Sequence, residues 1–233
     1  MLKWLFRLFL GVVVLTIVGI IVFLLSYNTV LRNTVQHEIR AQTGMDADIG
    51  SLKVALASPI VKLKDIKINN PPAFGGVPLL NVPEIYIEYD RDALAKKQIH
   101  ILLLRLNLAE LDIVKNQKGE TNIFSFGQLP ERHGPARPLT AADIKKQTGY
   151  DFIGIDNLNV SIGKVRFVDL ADSRNNREQI IGIENTVMKD IKSPSDLGGL
   201  VALIDLRSNH FFDPFLGSKN GLSGFLERLG IAF

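Results

Sequence analysis

The amino-acid sequence predicts a mainly β protein with one N-terminal transmembrane helix, a short helix, a curved antiparallel sheet and a C-terminal helical segment. An uncharged apolar run over residues 8–25 predicts the membrane span. Apolar and polar residues then alternate with a period of two, which is typical of half-buried strands. The predicted divisions are an anchor over 1–28, a first sheet portion with its leading helix over 29–127, a linker over 128–149, a second sheet portion over 150–193 and a partly amphipathic helical segment over 194–233.

The N-terminal run has the length of a bilayer and a clear direction. From Leu8 to Leu25 only Thr16 is polar, and a helix of this length spans about 27 Å. Lys3 and Arg7 precede the run, so we expect a cytoplasmic N-terminus and a body on the far side of the membrane, the periplasm in a bacterium. A cleavable signal peptide is the alternative, but no small-x-small site follows the run. We therefore expect the anchor to be retained.

Composition excludes several classes of function. The formal net charge is +3, and Lys3 and Arg7 supply two of those charges, so the body after the anchor carries 3 − 2 = +1. Such a body lacks the basic field that nucleic-acid binding requires. The absence of cysteine excludes disulfides, thiol catalysis and cysteine-bound zinc.

The body begins with a helix and continues as strands. Apolar spacing predicts a helix over 30–43 that ends at Gly44. The alternation slips between Leu63 and Ile66, which indicates a bulge near Asp65. Residues 49–56 follow an Ile-x-x-Leu-x-Val-x-Leu pattern that recurs over 155–162, ending there in Ile. Two copies of one hairpin pattern suggest a sheet built by repetition.

Three stretches resemble a known family. They are LKDIKINNPPAFGGVPLLNVPEIYIEYDRDAL at 63–94, IHILLLRLNLAELDIVKNQKGETNI at 99–123 and FIGIDNLNVSIGKVRFVD at 152–169. Together with the anchor they resemble the N-terminal region of AsmA-like proteins. The resemblance implies an inner-membrane anchor and a periplasmic sheet curved into an apolar groove, associated with phospholipid movement toward the outer membrane. About nine strands at about 4.8 Å would give a sheet roughly 40 Å long, too short to bridge an envelope unaided.

Apolar residues on the alternating faces are the candidate lipid-binding residues. They are Val54, Leu56, Val61, Leu63, Ile85, Ile87, Leu102, Leu104, Leu106, Leu108, Val160 and Ile162. The alternative is an ordinary packed core, although only the 30–43 helix and the C-terminal segment are available to cover it.

Two functions follow from these alternatives. The first is a membrane-anchored periplasmic module for lipid binding, lipid transfer or envelope assembly, with phospholipid and other envelope or inner-membrane proteins as partners. The second is a non-enzymatic structural subunit that scaffolds or stabilises a larger inner-membrane complex. Lipid in the body would favour the first, and a stoichiometric protein partner without lipid would favour the second.

No reactive constellation accompanies these patterns. The four histidines are scattered, and no serine lies in a GxSxG motif. Asp46 and Asp48 form a weak candidate for a cation site, for which a solvated turn is the simpler interpretation. We expect no enzyme activity, no metal, no cofactor and no nucleic-acid partner.

Overall fold

A computed structural model describes residues 29–37, 39–40, 45–55, 58–122, 145–146, 148–209 and 211. One six-stranded sheet, ordered as in the sequence, dominates this part of the chain. Its strands are β1 (Asp46–Ala55), β2 (Ile60–Asn69), β3 (Pro78–Tyr89), β4 (Gln98–Lys115), β5 (Asp151–Asp169) and β6 (Arg177–Ile191). The predicted anchor over 1–28 lies outside the described residues. Within them, no helix combines the length and the hydropathy of a membrane span.

The sheet is mixed, so the prediction of an antiparallel sheet is wrong at one pair of strands. β4 and β5 are parallel, whereas the other four neighbouring pairs are antiparallel. The alternation of apolar and polar side chains is the same in parallel and antiparallel strands, so it does not distinguish the two kinds of pairing. A parallel pair needs a connection of a dozen or more residues that returns to the starting end of the first strand. The chain between Lys115 and Asp151 supplies that length.

Helices flank the sheet in the described part of the chain. Helix α1 comprises residues 29–37 and 39–40, in agreement with the predicted leading helix. Helix α2 (Arg91–Ala95) begins after Asp90, whose carboxylate accepts hydrogen bonds from the backbone N–H groups of Asp92 and Ala93. Helix α3 (Gly198–Ser208) confirms a C-terminal helical segment. The helical pattern at 222–229 lies outside the described residues.

At corresponding positions on neighbouring strands, the side chains that point to the apolar face shift by one residue, so that two residues three positions apart lie on the same face. On β1 Ile49 and Leu52 are both buried, although three positions apart. On β2 Leu63 and Ile66 contact the same apolar cluster, which confirms the slip predicted there. Val82 and Ile85 on β3 repeat this spacing in the same cluster, and so do Ile162 and Val165 on β5 in the second cluster.

The slip arises from the backbone conformation of β2, without an inserted residue. Asp65 has φ +55°, and the register of β2 is unchanged on both sides of it, so the predicted bulge is absent. A Cβ on Gly50, in the neighbouring strand, would lie 2.9 Å from the Cβ of Asp65. Glycine is therefore required opposite the left-handed residue.

Two clusters of buried apolar residues lie on one face of the sheet, whereas Leu79 and Val114 are buried on the other. One cluster is centred on Ile49, Ile66 and Val82 beneath α1. A larger cluster contains Val201 of α3 together with residues of β4, β5 and β6. Leu108 packs against both clusters, so the two are parts of one continuous apolar surface.

Candidate functional site

The two faces of the sheet differ sharply in polarity. Opposite the apolar face, Lys62 Nζ lies 3.0 Å from Glu84 Oε2, and Lys164 Nζ lies 2.9 Å from Glu178 Oε2. The hydrogen bond from Lys62 lowers the pKa of Glu84 despite the opposing effect of burial. Arg105 stacks at 5.3 Å over the ring of Tyr86. This part of the face thus carries paired charges.

Helix α1 forms one border of the apolar face. Arg32 Nη1 donates to the carbonyl of Gly50 at 3.3 Å, and Gln36 Nε2 donates to the carbonyl of Ala47 at 3.1 Å. Val35 packs on the cluster beneath. Side chains of α1 thereby satisfy carbonyl groups on the free edge of β1, which fixes the helix along that edge.

Helix α3 forms the opposite border, along β6. Val201 is buried, and further apolar side chains of this segment pack on the same cluster: Leu197, Leu200, Leu203 and Ile204. Gln179 Nε2 of β6 donates to the carbonyl of Arg207 at 3.3 Å. Asp196 accepts from the N–H groups of Lys192 and Ser193, which ties the turn before α3 to the end of β6.

Between the two helices the apolar face forms a floor. We call this floor and its two helical borders the groove; its floor consists of Val61, Leu63, Ile85, Ile87, Leu104 and Leu106. These six side chains are half-buried, whereas Ile66 beneath α1 and Ile181 on β6 are buried. Six strands at about 4.8 Å span about 24 Å, so helices about 10 Å wide over the two edge strands leave about 14 Å between them.

The predicted binding residues lie mostly in register across this floor. One row runs Val54, Val61, Ile87, Leu104 and Leu158. A second runs Leu52, Leu63, Ile85, Leu106 and Val160. Leu108 and Ile162 pair at the inner end of the floor, where Ile162 is buried.

Two candidates lie elsewhere. Leu56 is outside the described residues. Leu102 occupies the point at which the β3–β4 register shifts, because Glu88 pairs with Leu103 and Tyr89 with Ile101. Leu102 therefore has no Cα partner on β3 and is not aligned with either row. Leu52 and Leu158, which complete the rows, were missed as candidates although both belong to the repeated pattern.

A buried polar network holds the far ends of the central strands, and sequence reasoning missed it. Asn122, fully buried, donates to Asn70 Oδ1 and to the carbonyl of Asp112, both at 2.9 Å. It also accepts from the N–H of Val114 at 3.0 Å. Burial raises the pKa of Asp112, although Arg166 Nε donates to its carboxylate at 2.9 Å. Asn70 and Asn122 are 52 residues apart in the sequence, so no local sequence pattern predicts their contact.

His100 links α2 to β5 at the other end of β4. Its Nε2 lies 2.7 Å from Asp156 Oδ1 and its Nδ1 lies 3.3 Å from Asp90 Oδ2. The hydrogen bond with Asp156, and after it the bond with Asp90, raises the pKa of His100 above its ordinary 6.5. Two flanking carboxylates stabilise the protonated imidazole.

The described part of the chain contains no group of three or more histidine, aspartate or glutamate side chains placed to hold a metal ion. Asp46 pairs with Arg40 at 3.2 Å, with both side chains exposed. Asp48 is also exposed. His133 and His210 lie outside the described residues.

Taken together, the six-stranded mixed sheet and its few helices define a mainly β protein. The sequence matches the AsmA family over residues 1–224. This match covers nearly the whole chain, and the chain belongs to the AsmA family. No curated protein and no solved structure matches it.

Proposed function

We propose that this chain is a membrane-anchored, lipid-binding module of the bacterial cell envelope, acting in lipid transfer or envelope assembly. Its groove would receive phospholipid acyl chains. The observation that carries the proposal is the half-buried apolar floor between α1 and α3, whose neighbours beneath those helices are buried.

The energetics favour an apolar occupant. Apolar surface left in water costs about 25 cal/mol per Å² relative to surface that is covered. An acyl chain along the floor would remove that cost without needing any hydrogen bond from the side chains there. The opposite face offers less gain where Lys62 and Lys164 are paired with carboxylates.

The order of elements along the chain supports delivery from a membrane. The apolar run over 8–25 leads after a few residues into α1, which is itself a border of the groove. With the run in an inner membrane and its basic flank in the cytoplasm, the groove would begin at the periplasmic surface of the bilayer.

Photo-cross-linking at two adjacent positions of β4 tests the proposal. A benzoylphenylalanine in place of Leu106 would face the groove, and one in place of Asn107 would face the ion-paired side, since the side chains of neighbouring strand residues point to opposite faces. After irradiation of the full chain in cells, mass spectrometry should find phospholipid adducts at position 106 and not at position 107.

The same experiment separates the competing function. A protein adduct at position 106 without lipid would support the structural-subunit hypothesis and contradict the lipid-binding proposal. Equal lipid labelling at both positions would show surface contact with the bilayer and would also contradict a groove.

A further inference from the structure

A pocket of about 200 Å³ with a mixed polar and apolar lining lies where α1 meets β1. It is lined by Thr29 and Arg32 of α1 and by Gly50, Ser51, Leu52 and Lys53 of β1. The lining thus contains two cations, two hydroxyl groups and no carboxylate. The Asp65 carboxylate lies just beyond it, with Oδ2 3.3 Å from the position of a Cβ on Gly50.

Arg32 retains donor capacity in this pocket. Among the described residues, its guanidinium donates one hydrogen bond, from Nη1 to the carbonyl of Gly50 at 3.3 Å. Its Nε is buried and has no hydrogen-bond partner. A buried donor without a partner is costly, and an anion that accepts from the guanidinium would remove that cost.

Lys53 adds a second uncommitted charge. No carboxylate within salt-bridge distance of it was found among the described residues, and its Cα partner across the sheet is Lys62, another cation. Lys62 is neutralised by Glu84, on its far side. Because Glu84 is already paired with Lys62, an anion at the free edge of β1 would be the partner of Lys53.

The pocket meets the groove at the edge strand β1. Lys53 belongs to the ion-paired face with Lys62, and Leu52, one position before it, belongs to the apolar face, so the pocket is lined from both sides of the edge. Leu52 lines the pocket and is also the β1 end of the row that continues through Leu63, Ile85 and Leu106. A ligand with an anionic group in the pocket would thus direct its apolar part along that row.

We propose that this pocket binds the phosphate group of a phospholipid whose acyl chains lie in the groove. The inference rests on the proposed function and deepens it, because it assigns the headgroup chemistry and the end of the groove at which the headgroup is held. The shared chemistry is that of a phosphate, and free inorganic phosphate is the competing source.

The test compares two lipids with identical acyl chains on the full chain in detergent. Native mass spectrometry would measure binding of phosphatidylglycerol and of the uncharged diacylglycerol, each with and without inorganic phosphate. The variant is Arg32→Gln/Lys53→Gln. The matched control is Lys118→Gln/Lys189→Gln, which removes the same charge from a turn and from β6.

The wild type and the control should prefer the phospholipid, and Arg32→Gln/Lys53→Gln should lose roughly tenfold or more of that preference while still binding diacylglycerol. An unchanged preference in that variant would overturn the headgroup assignment and leave the groove proposal standing. Binding of inorganic phosphate without either lipid would show a free-anion site and overturn the lipid source. Binding of neither lipid, with no effect of phosphate, would overturn the groove proposal as well.

Discussion

Replacing Leu104 by aspartate distinguishes an accessible groove from a dry core. Leu104 is half-buried and lies between Ile87 and Leu158 in its row. Full burial of a leucine is worth about 1.5–3 kcal/mol, so a half-buried leucine replaced by a hydrated carboxylate should lose about 1–1.5 kcal/mol. For a chain of this size that corresponds to a decrease in Tm of roughly 2–6 °C.

The matched core substitution is Ile113→Asp on the same strand. Ile113 is fully buried, and a carboxylate there would have neither water nor a partner. The loss should exceed about 4 kcal/mol, with a decrease in Tm above about 10 °C or failure to fold. Differential scanning calorimetry of the full chain in detergent, with lipid content measured by mass spectrometry, provides both readouts.

Leu104→Asn separates charge from shape, because asparagine has nearly the shape of aspartate. The groove predicts folded Leu104→Asp protein with little bound lipid and Leu104→Asn protein with an intermediate amount. If Leu104→Asp unfolds as Ile113→Asp does, the floor is a packed core. If it folds and keeps its full lipid content, acyl chains do not lie over Leu104.

Three further predictions concern the frame around the groove. The pKa of His100 is raised in the folded state, so its contribution to stability is present below about pH 6.5 and is lost as the pH rises through that higher pKa. The difference in unfolding free energy between wild type and His100→Gln should therefore shrink as the pH rises over that window. A difference in urea unfolding that does not depend on pH would contradict this prediction. Gly163→Ala should strongly destabilise the protein, because the added Cβ would collide with the carbonyl oxygen of Ala109 on β4. Gly199→Ala in α3, where a Cβ would meet open space, should stabilise it by about 0.5–1 kcal/mol. Equal changes in Tm for the two variants would contradict the close contact between Gly163 and Ala109. The membrane anchor predicts that intact mass from purified membranes includes Lys3 and that protease added to spheroplasts digests the body; a mature N-terminus near residue 26, or full protection, would contradict it.

Much of the sheet could be predicted because a strand with one apolar face has apolar and polar residues that alternate with a period of two in the sequence. Even the change of facing was visible, as the three-residue step from Leu63 to Ile66. The Ile-x-x-Leu step of the repeated pattern marks such a change twice: Ile49 and Leu52 are both buried on β1, and Ile155 and Leu158 contact one cluster on β5. In these stretches local chemistry and the final fold agree.

Other features depend on contacts between distant parts of the chain. The parallel pairing of β4 with β5 is set by the path of the connection between them, which side-chain alternation does not record. The bond between Asn70 and Asn122 and the bridge from His100 to Asp156 join residues more than fifty positions apart. The bulge at Leu102 likewise belongs to the pairing of two strands, so the pattern of four alternating leucines gave no sign of it.

The most direct test of the lipid groove is native mass spectrometry of the full chain released from detergent micelles, comparing wild type with Leu104→Asp/Leu106→Asp. The wild type should carry the added mass of a phospholipid, and the double variant should be folded by circular dichroism and free of that mass. Wild-type protein that is folded and never carries lipid, or a double variant with an undiminished lipid mass, would contradict the groove.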